Sequence, residues 1–202
     1  MFGAGKWSES EVLVGYLDQQ LEAIRASAHG LSEEQARATP CRSALSVGGL
    51  LKHVVHVLEG RLGSSAQPTA EEVARFTASF SLGEGETLAG TLEAFDRVRA
   101  QYLARVSSTD PADEVLEPPA PWFGVLDPTP SVQRYRLVHH VEELARHAGH
   151  ADILREQLDG ASSPSLLAAV HGWPANDFVQ PWTPGTGGDD APRAVGRPGA
   201  GG

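Results

Sequence analysis

Glu143, His147 and His150 fall in one short segment, EELARHAGHAD (residues 142–152), and their side chains are of the types that hold divalent metals. Neutral imidazole and carboxylate suit zinc, iron, nickel or manganese, and positions three or four apart on one helix can share an ion. At about 100° per residue, Glu143 lies roughly 40° and His150 roughly 60° to the same side of His147, so the three can converge. The apolar positions Leu137, Val141, Leu144, Ala148, Ala151, Leu154 and Leu158 sweep the other way, which sets His147 where core meets solvent. One helix does not complete such a site, so a further ligand has to come from a neighbour.

His53 supplies it. In SVGGLLKHVVHVL (residues 46–58) the apolar centre is Val47, Val54 and Leu58, with Leu50 and Val57 between it and His53. His53 therefore borders the core, whereas His56 falls beside Lys52 and Glu59 on the solvated side. Gly49 and Gly60 share the face of His53; they leave either a hollow beside the ligand or room for close helix packing. Three protein ligands would leave coordination positions open, the arrangement of a catalytic rather than a structural metal.

These residues need long helices to carry them, and the spacing predicts four. Ser8 and Glu11 form a capping box ahead of Leu13, Leu17, Leu21, Ile24 and Ala28, and His29-Gly30 ends that helix. Ser32 and Gln35 open one short turn. Ser46 caps the His53 helix, which runs from about Val47 to Leu62. Thr69 and Glu72 can cap a short helix, and a third long helix begins near Thr87 with Leu88, Leu92, Phe95, Val98, Tyr102 and Val106 on one side. Six prolines between Pro111 and Pro130 forbid a regular helix and predict a long loop carrying Trp122 and Phe123. Ser131 is expected to cap the fourth helix, which ends at Asp159-Gly160. A short helix near Ser165 to Val170 follows, and Trp173, Phe178 and Trp182 are expected to lie back over the bundle. The expected fold is all-α: an antiparallel four-helix bundle in one domain, residues 1–183, with a disordered Gly/Pro-rich tail over 184–202.

Composition narrows the partners. The formal net charge is -10 and the 16 basic residues are scattered, so nucleic acid is not an expected partner. The chain has 1 cysteine, Cys41, which excludes an intramolecular disulfide, and the start MFGAGKWSES has no signal-peptide core, so a cytoplasmic protein is expected. No apolar run approaches the ~18 residues of a membrane span. A small-molecule substrate is the expected partner, and a homodimer is compatible with a bundle of this kind.

The helix-two histidine, the fourth-helix ligand cluster and the helix order resemble the DinB and mycothiol-dependent maleylpyruvate isomerase superfamily over roughly residues 7 to 160, with the second motif closest to an actinobacterial DinB-like branch. The resemblance is carried by LSVGGLLKHVVHVLEG (Leu45 to Gly60) and VHHVEELARHAGHADILREQLDG (Val138 to Gly160). It implies a four-helix bundle holding a divalent metal, zinc first and nickel, iron or manganese next, and a low-molecular-weight thiol of the mycothiol type as co-substrate. Carried over, His53 matches the helix-two ligand. The His-x-x-x-His spacing of many relatives is absent, since His147 and His150 are three apart, while Glu143 and His147 match a Glu-x-x-x-His form. His53 and His147 rank first as ligands, with Glu143 and His150 competing for the third place. If it does not bind metal, His150 can position a water or substrate, which makes it the candidate catalytic residue.

A lone histidine on a helix face is more often half-buried packing than a ligand. The spacing and the resemblance together reverse that preference here. His139 and His140 lack that support, although His140 lies roughly 20° from His147, one heptad earlier. Cys41 has no partner cysteine or basic cluster and reads as an incidental thiol. Asp152 and Arg155 read as solvated charge or as partners for neighbouring helices, and the tryptophans as cover for the open end of the bundle. Arg146 is a weak candidate for holding an anionic thiol. The leading functional reading is a metal-dependent enzyme that activates a thiol for transfer to, or isomerisation of, a small electrophile; the alternative is a non-catalytic, stress-associated protein that binds metal or ligand.

Overall fold

The computed structural model describes residues 2–62, 70–120 and 123–185. Its elements are α1 (Glu9–Ala26), α2 (Glu33–Arg37), α3 (Val47–Leu62), α4 (Ala70–Ala78), α5 (Leu88–Ser107), β1 (Glu114–Glu117), β2 (Thr129–Val132), α6 (Gln133–Asp159) and α7 (Ser163–His171). Side-chain caps are in place at four helices, those at Ser8, Ser32 and Ser46 as read from the sequence. Ser8 and Glu11 close a capping box on α1, Ser32 and Gln35 do so on α2, and Thr87 accepts from Gly90 N at the start of α5. On α3 the Ser46 hydroxyl accepts from Gly49 N at 3.1 Å.

The apolar stripes of α1, α3, α5 and α6 meet in one core that includes Leu17, Leu21, Ile24, Leu50, Leu51, Val54, Phe95, Val98, Leu144 and Ala151. The result is an all-α four-helix bundle. α6 lies along α1, α1 also packs on α5, and α5 packs on α3, while α3 and α6 meet over a shorter stretch. That thinner seam is where His53 and His147 face each other.

The segment between α5 and α6 is not the plain loop expected from its prolines. β1 and β2 pair antiparallel, with Glu114 opposite Val132 and Leu116 opposite Pro130. Proline is tolerated because each strand of a two-stranded ribbon has one unpaired edge. The hairpin also changes how α6 begins. Ser131 sits within β2 and does not cap the helix; the N-cap is Val132, without a side-chain bond. Instead Gln133 N donates to Asp113 O at 2.9 Å and Arg134 N to Pro111 O at 2.8 Å, so carbonyls of the turn leading into β1 satisfy the first helical amides.

The C-terminal end of the bundle is closed by Arg155, fully buried rather than solvated. Its guanidinium donates to both Asp159 carboxylate oxygens at 3.0 and 2.7 Å and to the carbonyls of Ser27 and His29 at 2.9 and 2.6 Å. The Trp182 ring covers it, with Arg155 Cζ 4.9 Å from the ring centroid. Gly30, at φ 72°, makes this possible: a Cβ there would stand 2.3 Å from the Trp182 ring. Trp182 therefore covers the end as expected, whereas Phe178 is 94% exposed and Phe123 77% exposed. Trp122 and the tail from residue 186 onward lie outside the described residues.

Candidate metal centre

His53 is held from three sides. α3 presents it into the seam, where it is 4% exposed. The ring stacks on Phe80 at 4.0 Å between centroids and meets the edge of Phe76 at 5.4 Å. Gly49, one turn earlier, lets the chain after α4 come this close, since a Cβ there would lie 2.1 Å from Phe80 O. Close packing, not a hollow, is thus the role of Gly49; Gly60 has open space around it.

The tautomer of His53 follows from hydrogen-bond direction. The Ser79 hydroxyl donates to Phe76 O at 2.6 Å, so towards the imidazole it can only accept. His53 Nδ1 lies 2.9 Å from that oxygen and must carry the proton. Nε2 is left with its lone pair, the state a metal ligand needs. Burial, with lesser contributions from His147 and His56, lowers the His53 pKa to about 4, so the ring is neutral near pH 7.

His147 meets this ring across the seam, with centroids 5.0 Å apart and planes at 74°. Burial lowers its pKa too, opposed by Glu143 one turn away and assisted by His150 and Arg146. His150 stands beside it at 6.3 Å between centroids. The Nδ1 atoms of His147 and His150 are buried without a hydrogen-bond partner. A buried polar atom without a partner costs roughly 1–3 kcal/mol, and two of them beside the neutral His53 are what an imidazole metal site looks like without its ion. The donor types suit a divalent cation of the zinc type, although among the described residues no three of His53, Glu143, His147 and His150 bring ligand atoms within 4.8 Å of one another.

Glu143 is shared between two groupings. Its charge acts on His147, yet its carboxylate also gathers with His139 and Glu142, ligand atoms of all three lying within 4.8 Å of one another. Among the described residues this is the one three-ligand grouping so tight, and it lies on the flank of α6. Glu142 is there engaged by Arg146 at 2.7 Å and by His139 Nδ1 at 3.4 Å, which also takes Arg146 away from any anionic ligand in the seam. His139, which sequence reasoning set aside, is four residues before Glu143 and three before Glu142. Helical spacing alone could have raised it.

Ser79 was missed, and no local pattern announces it: it follows a short helix and reaches His53 through tertiary packing. His140 is buried and bonds through Nδ1 to the Tyr102 hydroxyl at 2.5 Å. Cys41 is a free, partly buried thiol packed against the core. A cavity of about 590 Å³ opens beside Ser79 and is lined also by Lys52, His56, Arg75 and Glu86.

The profile of one protein family, described as Mycothiol-S-transferase, matches residues 12–160, which is α1 through the end of α6. The chain belongs to the mycothiol S-transferase family. No curated protein matches it. Among solved structures, this chain is similar to a conserved protein from Enterococcus faecalis at 17% identity, covering 76% of this chain and 98% of that one, with a TM-score of 0.46. The family match ends at Gly160, so α7 and the segment that folds back with Trp173 and Trp182 lie outside it. Among the described residues no helix is long and apolar enough to cross a membrane.

Proposed function

We propose that this mycothiol S-transferase family member binds a divalent metal between α3 and α6 and transfers a low-molecular-weight thiol of the mycothiol type to a small electrophile. His53 Nε2 and His147 are the first two ligands and Glu143, one turn before His147, is the third. The supporting observation is the contact across the seam between the neutral, buried His53 ring and the half-buried His147 ring, with unpartnered ring nitrogens on α6. When bound, the ion supplies Lewis acidity that lowers the pKa of a thiol held against it.

The chain's own residues do the rest. Ser79 fixes the His53 ring, and Phe76 and Phe80 wall it from water. His150 accepts the thiol proton as the sulfur attacks; the new S–C bond forms, the leaving group departs with its electron pair, and the proton passes from His150 to it. The cavity beside Ser79 has the volume for a small electrophile or the body of the thiol, but none of His53, Glu143, His147 and His150 lines it. Such a thiol stays reduced in the cytoplasm, which is where the reading places the protein.

The test is turnover. Metal-loaded protein is assayed with mycothiol, bacillithiol and glutathione against a panel of small electrophiles. Thioether formation with one thiol, reduced about 100-fold or more in His150→Gln with metal content unchanged, is expected. Absence of turnover with every thiol overturns the catalytic reading in favour of non-catalytic binding.

A further inference from the structure

A second cavity, of about 650 Å³, lies on the far side of α6 from the histidine seam, between α1, α6, α7 and the C-terminal segment. None of His53, Glu143, His147 and His150 lines it. Its walls are Ala145, Ala148, Leu167, Pro164, Trp173 and Val179, with Gly149 opening onto empty space. Much of the lining comes from beyond Gly160, so the cavity is built by the part of the chain outside the family match.

The wall is preformed. Trp173 N donates to Ala168 O at 2.9 Å, and its ring is stacked on His171 at 4.7 Å. The loop after it is closed by Asn176, whose side-chain oxygen accepts from Phe178 N and Val179 N at 2.9 and 3.1 Å. Trp182 N donates to Ser165 O at 2.9 Å, which ties the segment to α7. Binding here needs no ordering of the wall, which lowers its cost.

The chemistry of the lining is lopsided. Among the described residues Asp152 is its one ionisable side chain, and the other polar side chains include the neutral Gln19, Gln20, Ser163 and Asn176. Burial raises the Asp152 pKa, partly opposed by a hydrogen bond from Ser163, and among the described residues no lysine or arginine lines the cavity. A half-buried carboxylate beside apolar and aromatic walls selects a cation over an anion.

We propose that this cavity is a second ligand site, separate from the metal centre, that takes a small primary amine with an apolar body, its ammonium group on Asp152 and its body against Trp173.

Calorimetric titration of the full-length protein with phenethylamine, 2-phenylethanol and 3-phenylpropionate tests it. Saturable binding of phenethylamine is expected, at least about tenfold tighter than the alcohol, with no binding of the carboxylate. Asp152→Asn should abolish the preference for the amine. Gly149→Leu, which fills the cavity from a helix position that gains helical propensity, should abolish binding altogether. Because amines also ligate metals, His147→Ala is titrated in parallel and should bind phenethylamine as the unaltered protein does. Equal affinity for amine and alcohol, unchanged preference in Asp152→Asn, binding retained in Gly149→Leu, binding lost in His147→Ala, or no saturation by phenethylamine would each overturn the proposal.

Discussion

Ser79 Oγ lies 2.9 Å from His53 Nδ1, and because that hydroxyl is already donating to Phe76 O at 2.6 Å, the contact leaves His53 Nε2 unprotonated. One hydroxyl therefore decides which ring nitrogen can bind a metal. Ser79→Ala removes the acceptor without changing the ligand set. Metal affinity is expected to fall about 10- to 100-fold, the usual cost of losing a partner behind a ligating histidine, with the fold retained. Competition with a chromophoric chelator measures it; an unchanged affinity would show that the tautomer is set elsewhere.

Gly49→Ala is expected to disturb the same place from the other side. A Cβ 2.1 Å from Phe80 O has to push a backbone carbonyl, and Phe80 is the ring stacked on His53. Overpacking of this kind costs about 1–3 kcal/mol. Urea unfolding should show that loss together with weaker metal binding, whereas Gly60→Ala, in open space, should be neutral or slightly stabilising.

Acid should destabilise the metal-free protein through His53. Its pKa is about 4 when folded against an ordinary 6.5, so between those values the unfolded chain binds the extra proton. The stability associated with a neutral His53 is complete above the unfolded value and is lost as pH falls from 6.5 towards 4. At 1.36 kcal/mol per unit the loss is about 3–4 kcal/mol. Urea midpoints of chelated protein at several pH values in this window, compared with His53→Gln, isolate it. Parallel slopes in the two proteins would contradict the assignment.

Arg155 and Asp159 form the other tightly determined contact. Asp159→Asn leaves a fully buried guanidinium with carbonyl partners but no counter-charge, expected to cost about 3–5 kcal/mol. Arg155→Met should cost less for the ion pair itself, but it uncovers the carbonyls of Ser27 and His29 and frees Trp182. Thermal unfolding of both variants ranks the two effects.

The helices were legible because capping chemistry and apolar spacing are local: Ser8 with Glu11 and Ser32 with Gln35 stand where the pattern sets them. The nearness of His53 to His147 was legible too, because each lies at the edge of an apolar stripe and the two stripes share one core. Short-range pattern could not show β1 and β2, whose four-residue strands are stabilised by pairing with each other and by the turn before β1 that caps α6. Nor could it show Ser79 or the burial of Arg155. A serine after a short helix and an arginine in a charged helix read as surface until the partners far along the chain, His53 in one case and Ser27 and His29 in the other, are in contact with them.

The proposed chemistry requires a cation between His53 and His147. Elemental analysis of tag-free protein after exposure to zinc and gel filtration reads it directly. One equivalent of metal is predicted in the unaltered protein, lost in His53→Ala and in His147→Ala with helical content preserved, and kept in His139→Ala. Metal retained in either of the first two variants, or lost only with His139, would contradict the account.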